Sequence, residues 1–381
     1  MKLIKKLPLF LLLIGASLLL SGCTRASSLM NASSWPGLSV DDSTVYVAYG
    51  PSVLAIQDGK LLWRYPAEPD RNLAFFANPL VYGDTVYAGS YNNQLHLLNK
   101  DNGSLISTVV LSATKNKIIS APTVLEDTLL IPSSDATIYA FDPTNMTTPK
   151  WKTRLSNEIW SSPIEVGDEI YVFSLDKQLN VLNAETGALI RKSPVTGAVM
   201  GDMILHDNKL YFSTLAKQVS YYDLEKQEIV KLFDTDGEVW ASPLIDGDRI
   251  IVADMLGNIY CNNIETGLSN WKIPASSQNV GIIATPVLLG DGNYLFAAED
   301  GTLMLYDLDG KSVNTRATGS KILTTPHIQG DSVIVAFISG EALLKSYSFD
   351  LKENWVYVDA ASAETAQTTE AAVEVTSTPE K

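Results

Sequence analysis

Only two cysteines, Cys23 and Cys261, occur in 381 residues. That excludes a disulfide scaffold and a four-cysteine zinc site, and their separation excludes the C-x-x-C spacing of a zinc finger. Histidine is also scarce. His96, His206 and His327 are scattered, with no H-E-x-x-H spacing among them. Positive charge is in deficit, with 28 Lys and Arg against 43 Asp and Glu and a net charge of −15. Such a balance argues against a nucleic-acid partner, whose phosphates recruit clustered cations. After residue 22 no apolar run approaches the 18 or so residues of a membrane-spanning helix. No later stretch sustains a 3.6-residue apolar period with caps, so helices are expected to be minor. A G-x-S-x-G nucleophile elbow is absent, and the residues offer no nucleophile–base pair.

What the chain does have is a repeat. Apolar residues make up 46% and charged residues 19%, enough to bury a core. Length alone would suggest two or three domains, but self-comparison overrides that. A proline precedes an apolar strand at Pro36, Pro79, Pro122, Pro163, Pro243, Pro286 and Pro326, with Asp202 read into the one missing slot. Five residues after each marker comes an aspartate: Asp41, Asp84, Asp127, Asp168, Asp207, Asp248, Asp291 and Asp331. Eight copies of one unit follow.

Each unit reads as four short strands. In the fourth copy Pro163 to Val166 is a strand, Gly167-Asp168 turns, and Ile170 to Phe173 is a second strand. Asp176-Lys177 turns again, Leu179 to Leu182 alternates, and Glu185-Thr186-Gly187 leads into Leu189-Ile190. Runs rich in β-branched and aromatic residues between Gly, Asp and Asn are strands joined by hairpin turns. Four strands in some 40–45 residues match a propeller blade. The expected fold is all-β, an eight-bladed β-propeller of four-stranded antiparallel blades over residues 35–358. A marker proline suits a strand's beginning because it lacks an N–H. The repeated aspartates suit turns, since lone carboxylates so far apart do not converge as calcium ligands must.

The third turn narrows the family. Glu185-Thr186-Gly187-Ala188-Leu189-Ile190-Arg191 and Glu265-Thr266-Gly267-Leu268-Ser269-Asn270-Trp271 resemble the A-x-D-x-x-T-G-x-x-x-W repeat of quinoprotein (PQQ) propellers, and Trp160-Ser161-Ser162-Pro163 and Trp240-Ala241-Ser242-Pro243 resemble the S-P strand entries of these repeats. Trp63, Trp151, Trp271 and Trp355 occupy the tryptophan position, and copies two, four, five and seven lack it. An indole recurring at one blade position is expected to fill the wedge between blades rather than to form a ligand cage.

The chain's first segment is an address. Lys2, Lys5 and Lys6 precede an apolar stretch from Leu7 to Leu20, too short to span a membrane comfortably. Leu20-Ser21-Gly22-Cys23 then resembles the lipobox of bacterial lipoproteins. The resemblance implies cleavage after Gly22 and lipid attachment at Cys23, the single site residue we assign. Residues 1–22 are read as signal peptide, 23–34 as lipidated tether and 359–381, rich in Ala, Thr and Glu, as a disordered tail. Loss of three lysines and no acid takes the net charge from −15 to −18. The expected location is extracytoplasmic, on a bacterial membrane. Thr24, not aspartate, follows the cysteine, and by resemblance to the sorting rule this permits an outer membrane where one exists.

Lipobox, eight copies and mature length together are similar to the BamB family of outer-membrane assembly lipoproteins. That resemblance implies a non-catalytic, monomeric scaffold holding an extracytoplasmic or membrane protein, with no catalytic residue, cofactor or metal. An extracellular ligand- or polymer-binding propeller is the alternative, with Tyr91 and the Tyr221-Tyr222 pair as its aromatic candidates. A quinone-dependent dehydrogenase ranks third, since Cys261 alone cannot form the adjacent cysteine pair typical of such enzymes.

Overall fold

Short strands separated by tight turns form meanders of four, and in this chain every meander becomes one sheet. The computed structural model describes residues 35–70, 72–112, 116–338 and 340–359. Signal, Cys23, tether and residues 360–381 lie outside them. Thirty-two strands make eight four-stranded antiparallel sheets, each from one contiguous stretch of chain. Blade one is β1 (Gly37–Asp41), β2 (Thr44–Tyr49), β3 (Ser52–Gln57) and β4 (Lys60–Tyr65). Blade two is β5 (Leu80–Tyr82), β6 (Thr85–Gly89), β7 (Gln94–Asn99) and β8 (Leu105–Val110). Blade eight is β29 (His327–Gln329), β30 (Ser332–Ala336), β31 (Leu344–Ser348) and β32 (Glu353–Tyr357). The remaining outer strands are β12 (Trp151–Arg154), β16 (Leu189–Pro194), β20 (Glu228–Asp234), β24 (Ser269–Ile273) and β28 (Ser312–Ala317).

The first strands lie innermost, where β1 meets both β5 and β29. Second and third strands are buried on both faces, because alternate side chains enter opposite wedges. Val45 and Val47 of β2 pack with Ile334, Ala336 and Leu344 of blade eight. Tyr46 and Ala48 of the same strand pack with Phe75, Val86 and Ala88 of blade two. The core is thus divided among the gaps between blades.

The tryptophans seal those gaps. Trp63 donates its indole N–H to the Lys100 carbonyl of the next blade at 2.8 Å, Trp151 to Ala184 at 3.0 Å, and Trp271 to Leu308 at 2.9 Å. Each indole lies flat on a glycine of that next blade: Trp63 on Gly103, Trp151 on Gly187, Trp271 on Gly310. These glycines have φ between 68° and 75°, so the turn conformation and the packing both demand a residue without Cβ. Where tryptophan is missing, other devices cross the gap. Asn314 reaches the Asp350 carbonyl at 2.7 Å, and Arg191 joins Glu169 of its own blade to the Tyr222 hydroxyl of the next. Ser107 holds the slot in blade two, and Met146 from the long turn of blade three packs into that wedge.

Ring closure follows the same rule. Trp355 of blade eight lies on Gly59 of blade one. Thr324 Oγ1 donates to the Pro36 carbonyl, 2.6 Å away, and the Arg64 guanidinium pairs with the largely buried Asp359 carboxylate. Among the described residues, blade eight therefore docks on blade one without strand exchange. Asp359 belongs to this closing contact.

Blade five corrects the repeat register. Its first strand, Ile204–His206, is preceded directly by buried Met203, so Met203 and not Asp202 takes the proline slot. The turn pair becomes Asp207-Asn208, both at positive φ. Asn208 supplies the carbonyl that accepts the Leu224 N–H (3.1 Å), as Asp168 does for Ala184 and Asp248 for Ile264 (both 2.9 Å). At these positions the repeated residue works through its backbone carbonyl. At Asp291 the carboxylate also caps its own turn, accepting the Asn293 N–H.

Two glycines separate packing from turn chemistry. Gly167 has φ +60° and open space around it, whereas a Cβ on Gly187, φ +68°, would strike the Trp151 ring. Gly167→Ala should lower the unfolding free energy by about 1 kcal/mol, and Gly187→Ala by about 3 kcal/mol. Equal losses in urea melts would show that the indole contact contributes nothing.

Candidate functional site

Antiparallel order places every blade-to-blade loop and every turn between second and third strands on one face of the ring. We call it the proline face; the repeated aspartate turns lie on the other. Residue by residue, the proline face carries a pattern that the marker prolines conceal. Three residues before the marker slots of blades two to eight stand Phe76, Ile119, Trp160, Met200, Trp240, Ile283 and Leu323, all large, apolar and half-buried. Each stands in the loop that enters an innermost first strand. Trp35, entering blade one, sets its ring edge-on to Trp240 with centroids 5.9 Å apart. Blades one and six are not neighbours, so this contact links non-adjacent blades.

A belt of hydrogen bonds from backbone N–H groups to side-chain oxygens links neighbouring blades at the same loops. The Ser162 N–H donates to Asp202 Oδ1 (2.7 Å), Asp202 N–H to Ser242 Oγ (2.8 Å), Ser242 N–H to Thr285 Oγ1 (3.3 Å) and Thr285 N–H to Thr325 Oγ1 (3.0 Å). Asn78 Oδ1 receives the Leu38 N–H at 3.1 Å. The residue just before each of these markers is therefore polar for a reason: it accepts from a neighbouring blade. Asp202, displaced from the marker slot, is one of these acceptors.

Aromatic density is highest beside blade two. Phe76 packs on Tyr91 (4.9 Å) and edge-on to Tyr49 (5.9 Å), and Lys117 Nζ sits 4.6 Å from the Tyr91 centroid. Tyr91, one of the sequence candidates, is thus part of a half-buried trio. The Tyr221-Tyr222 pair is not on this face. Both lie within the third strand of blade five, Tyr222 fully buried against Tyr171 and Tyr221 packed on Tyr211.

Other chemically suggestive groups do not converge. Among the described residues no group of three His, Cys, Asp or Glu is placed to hold a metal ion. Cys261 is buried in the third strand of blade six, and burial raises its thiol pKa, away from nucleophilic character. His206 ends a first strand and meets Asp207 at 3.2 Å. His327 begins the first strand of blade eight. His96 is buried in β7, where Nδ1 meets the Tyr65 hydroxyl at 2.9 Å. On the aspartate face, burial together with Glu126, Asp127 and Asp168 raises the Glu165 pKa.

These features define a closed eight-bladed propeller of the quinoprotein-repeat class, with half-buried apolar residues in the loops of one face. A family model described as outer membrane protein assembly factor BamB matches residues 24–231 and 226–379. The chain belongs to that family. It is 29% identical over 114 residues to BamB of Burkholderia pseudomallei, across 29% of each chain. To BamB of Legionella pneumophila it is 23% identical over 198 residues, 49% of this chain and 50% of that one. A tetrathionate hydrolase of Acidithiobacillus ferrooxidans is 29% identical over 137 residues, 28% of its length. The chain thus spans between 28% and 50% of the curated relatives it matches. The crystal structure of BamB from Moraxella catarrhalis shares the fold, with a TM-score of 0.69 at 15% identity over 84% of this chain and 96% of that one. So does the computationally designed Ika8 protein, with a TM-score of 0.68 at 14% identity over 83% of this chain and 97% of that one.

Histidine burial makes stability pH-dependent. Burial lowers the His96 and His327 pKa values from 6.5 to about 4, so folding favours neutral imidazoles. The unfolded chain binds protons below pH 6.5, and the stability these groups contribute is lost as pH falls from 6.5 towards 4. Each should add up to about 1.4 kcal/mol per pH unit to that slope. His96→Gln should flatten the dependence of urea midpoints on pH in this window; an unchanged slope would show that His96 protonates freely in the fold.

Proposed function

We propose that the protein is a lipid-anchored, extracytoplasmic scaffold that docks a partner in outer-membrane protein assembly on its proline face and carries out no reaction itself. The observation that carries this is a half-buried apolar side chain at the same offset in each of seven loops of one face, one of which, Trp240, meets Trp35 from the non-adjacent blade one. Half-buried Trp160 and Trp240 have the size and rigidity of interface anchors. The loops that bear them can vary without disturbing the strands. The net charge of −15 favours a partner with basic groups around an apolar centre. Membership in the assembly-factor family supports the class of partner. The part-length likeness to a tetrathionate hydrolase does not carry a reaction across, because Cys261 and the histidines are dispersed in the strands.

Lipidation at Cys23 fits this face. Only 11 residues separate Cys23 from Trp35, a span of at most about 40 Å, and Trp35 belongs to the proline face. A second reading, binding of an envelope polymer, is favoured by the Tyr49, Phe76 and Tyr91 trio with Lys117.

Two measurements test the proposal. Cys23→Ala should move the protein from the membrane to the soluble envelope fraction, and a mutant still membrane-bound and acyl-labelled would refute the anchor. Trp160→Ser combined with Trp240→Ser should weaken capture of envelope protein partners at least tenfold, about 1.4 kcal/mol, with the melting temperature nearly unchanged. Undiminished capture would move the docking site elsewhere, and capture of polymer but no protein would favour the second reading.

A further inference from the structure

The outermost strand of each blade is an unpaired sheet edge among the described residues. Such edges template pairing with other chains, and soluble proteins blunt them with charged side chains. Seven of the outer strands obey. β4 carries Lys60 and Arg64, β12 Lys152 and Arg154, β16 Arg191 and Lys192, β20 Glu228, Lys231 and Asp234, β24 Lys272, β28 Arg316, and β32 Glu353. β8, Leu-Ile-Ser-Thr-Val-Val, carries none. It is also apolar outwards: Leu105 is 47% exposed, Ile106 55% and Val110 59%.

Its backbone is available too. The Leu111 N–H donates to the Asn93 carbonyl at 3.1 Å, and the β7–β8 register pairs Val109 with Leu95 and Ser107 with Leu97. In an antiparallel ladder, bonded and non-bonded residues alternate. Leu111, Val109 and Ser107 therefore face β7, and the amide and carbonyl groups of Thr108 and Val110 point away from the blade. A register shift between Leu97 and Leu98 leaves Ile106 outside the ladder, so the open edge runs from Ser107 to Leu111.

We infer that β8 is a docking edge at which an extended, uncharged strand segment of another protein adds to blade two as a fifth strand. Charge selects this occupant. A charged segment laid on the edge would lose water without meeting a counter-charge. A second copy of the chain would bring a net charge of −15 against another −15, which opposes self-association. An uncharged segment alternating apolar and small polar residues meets neither cost. It gains main-chain hydrogen bonds to Thr108 and Val110 and apolar contact with Val110, the mode by which sheet edges capture peptides. The edge lies on the rim of the ring and not in the proline-face loops, so this inference stands apart from docking on the proline face.

Hydrogen exchange on the folded protein tests it, with a capped nine-residue peptide alternating Val and Thr as the probe. Thr108 and Val110 amides should gain at least tenfold protection on adding peptide. The same peptide N-methylated along one edge should give none, since it cannot pair. Val110→Lys and Thr108→Pro should each weaken the unmodified peptide at least tenfold. Ile190→Lys, on the already charged strand β16, is the matched control and should leave binding unchanged. Protection that is insensitive to Val110→Lys, equal binding of the N-methylated peptide, or a dimer through β8 in sedimentation would each overturn the proposal.

Discussion

The wedge between adjacent blades is the constraint on which the rest depends. Twisted sheets set around an axis diverge towards the rim, and the gap must be filled or water enters a two-faced core. Here the filler is an indole on one blade and a Cβ-less turn on the next, tied by an indole N–H to a backbone carbonyl, as Trp151 is to Gly187 and Ala184. Closure is then a consequence of repetition: blade eight offers blade one a tryptophan at the position from which blades one, three and six offer theirs to their successors. Trp355 on Gly59 is the ring-on-glycine half of that contact across the termini. Burying a tryptophan is worth roughly 3–5 kcal/mol against alanine, so a few such joints rival the whole stability of a domain.

Much of this is legible in the chain because a repeat writes its period covalently. Blade number, strand number and the packing role of Trp63, Trp151, Trp271 and Trp355 all follow from spacing. The register error at blade five has a physical origin. Without a proline to mark the strand's beginning, Asp202 looks like a substitute, yet it keeps the polar position just before the marker and accepts the Ser162 N–H. The side chain chosen by counting is one residue away from the side chain chosen by burial, Met203.

The candidate site is harder to read. Phe76, Ile119, Trp160, Met200, Trp240, Ile283 and Leu323 share no chemical identity beyond size and apolarity, and they fall in loops where no periodicity guides the eye. Their signal is present as a fixed offset from the markers. What sequence does not supply is the common face: that seven such positions lie in loops on one side of the ring, and that Trp35 reaches Trp240 of a non-adjacent blade. The Tyr221-Tyr222 pair shows the reverse. Strand alternation correctly turns one of the pair inward, but only the folded ring shows that Tyr221 stands within the blade and away from the loop face.

A propeller that must bury both faces of every sheet has few places left for function. Its second and third strands are committed to the core, and mutation there costs stability before it changes binding. Variation is tolerated at the loops, where half-buried apolar residues recur on the proline face, and at the rim, where outer strands face water. On the rim, seven strands carry charge and one does not, although blades built on one template need not differ there. Uniform self-protection would have been the neutral outcome for an acidic ring. The bare edge of β8 departs from it where the fold offers unpaired backbone, so a cost in aggregation risk is tolerated in blade two alone. Such a cost is consistent with an edge that is used.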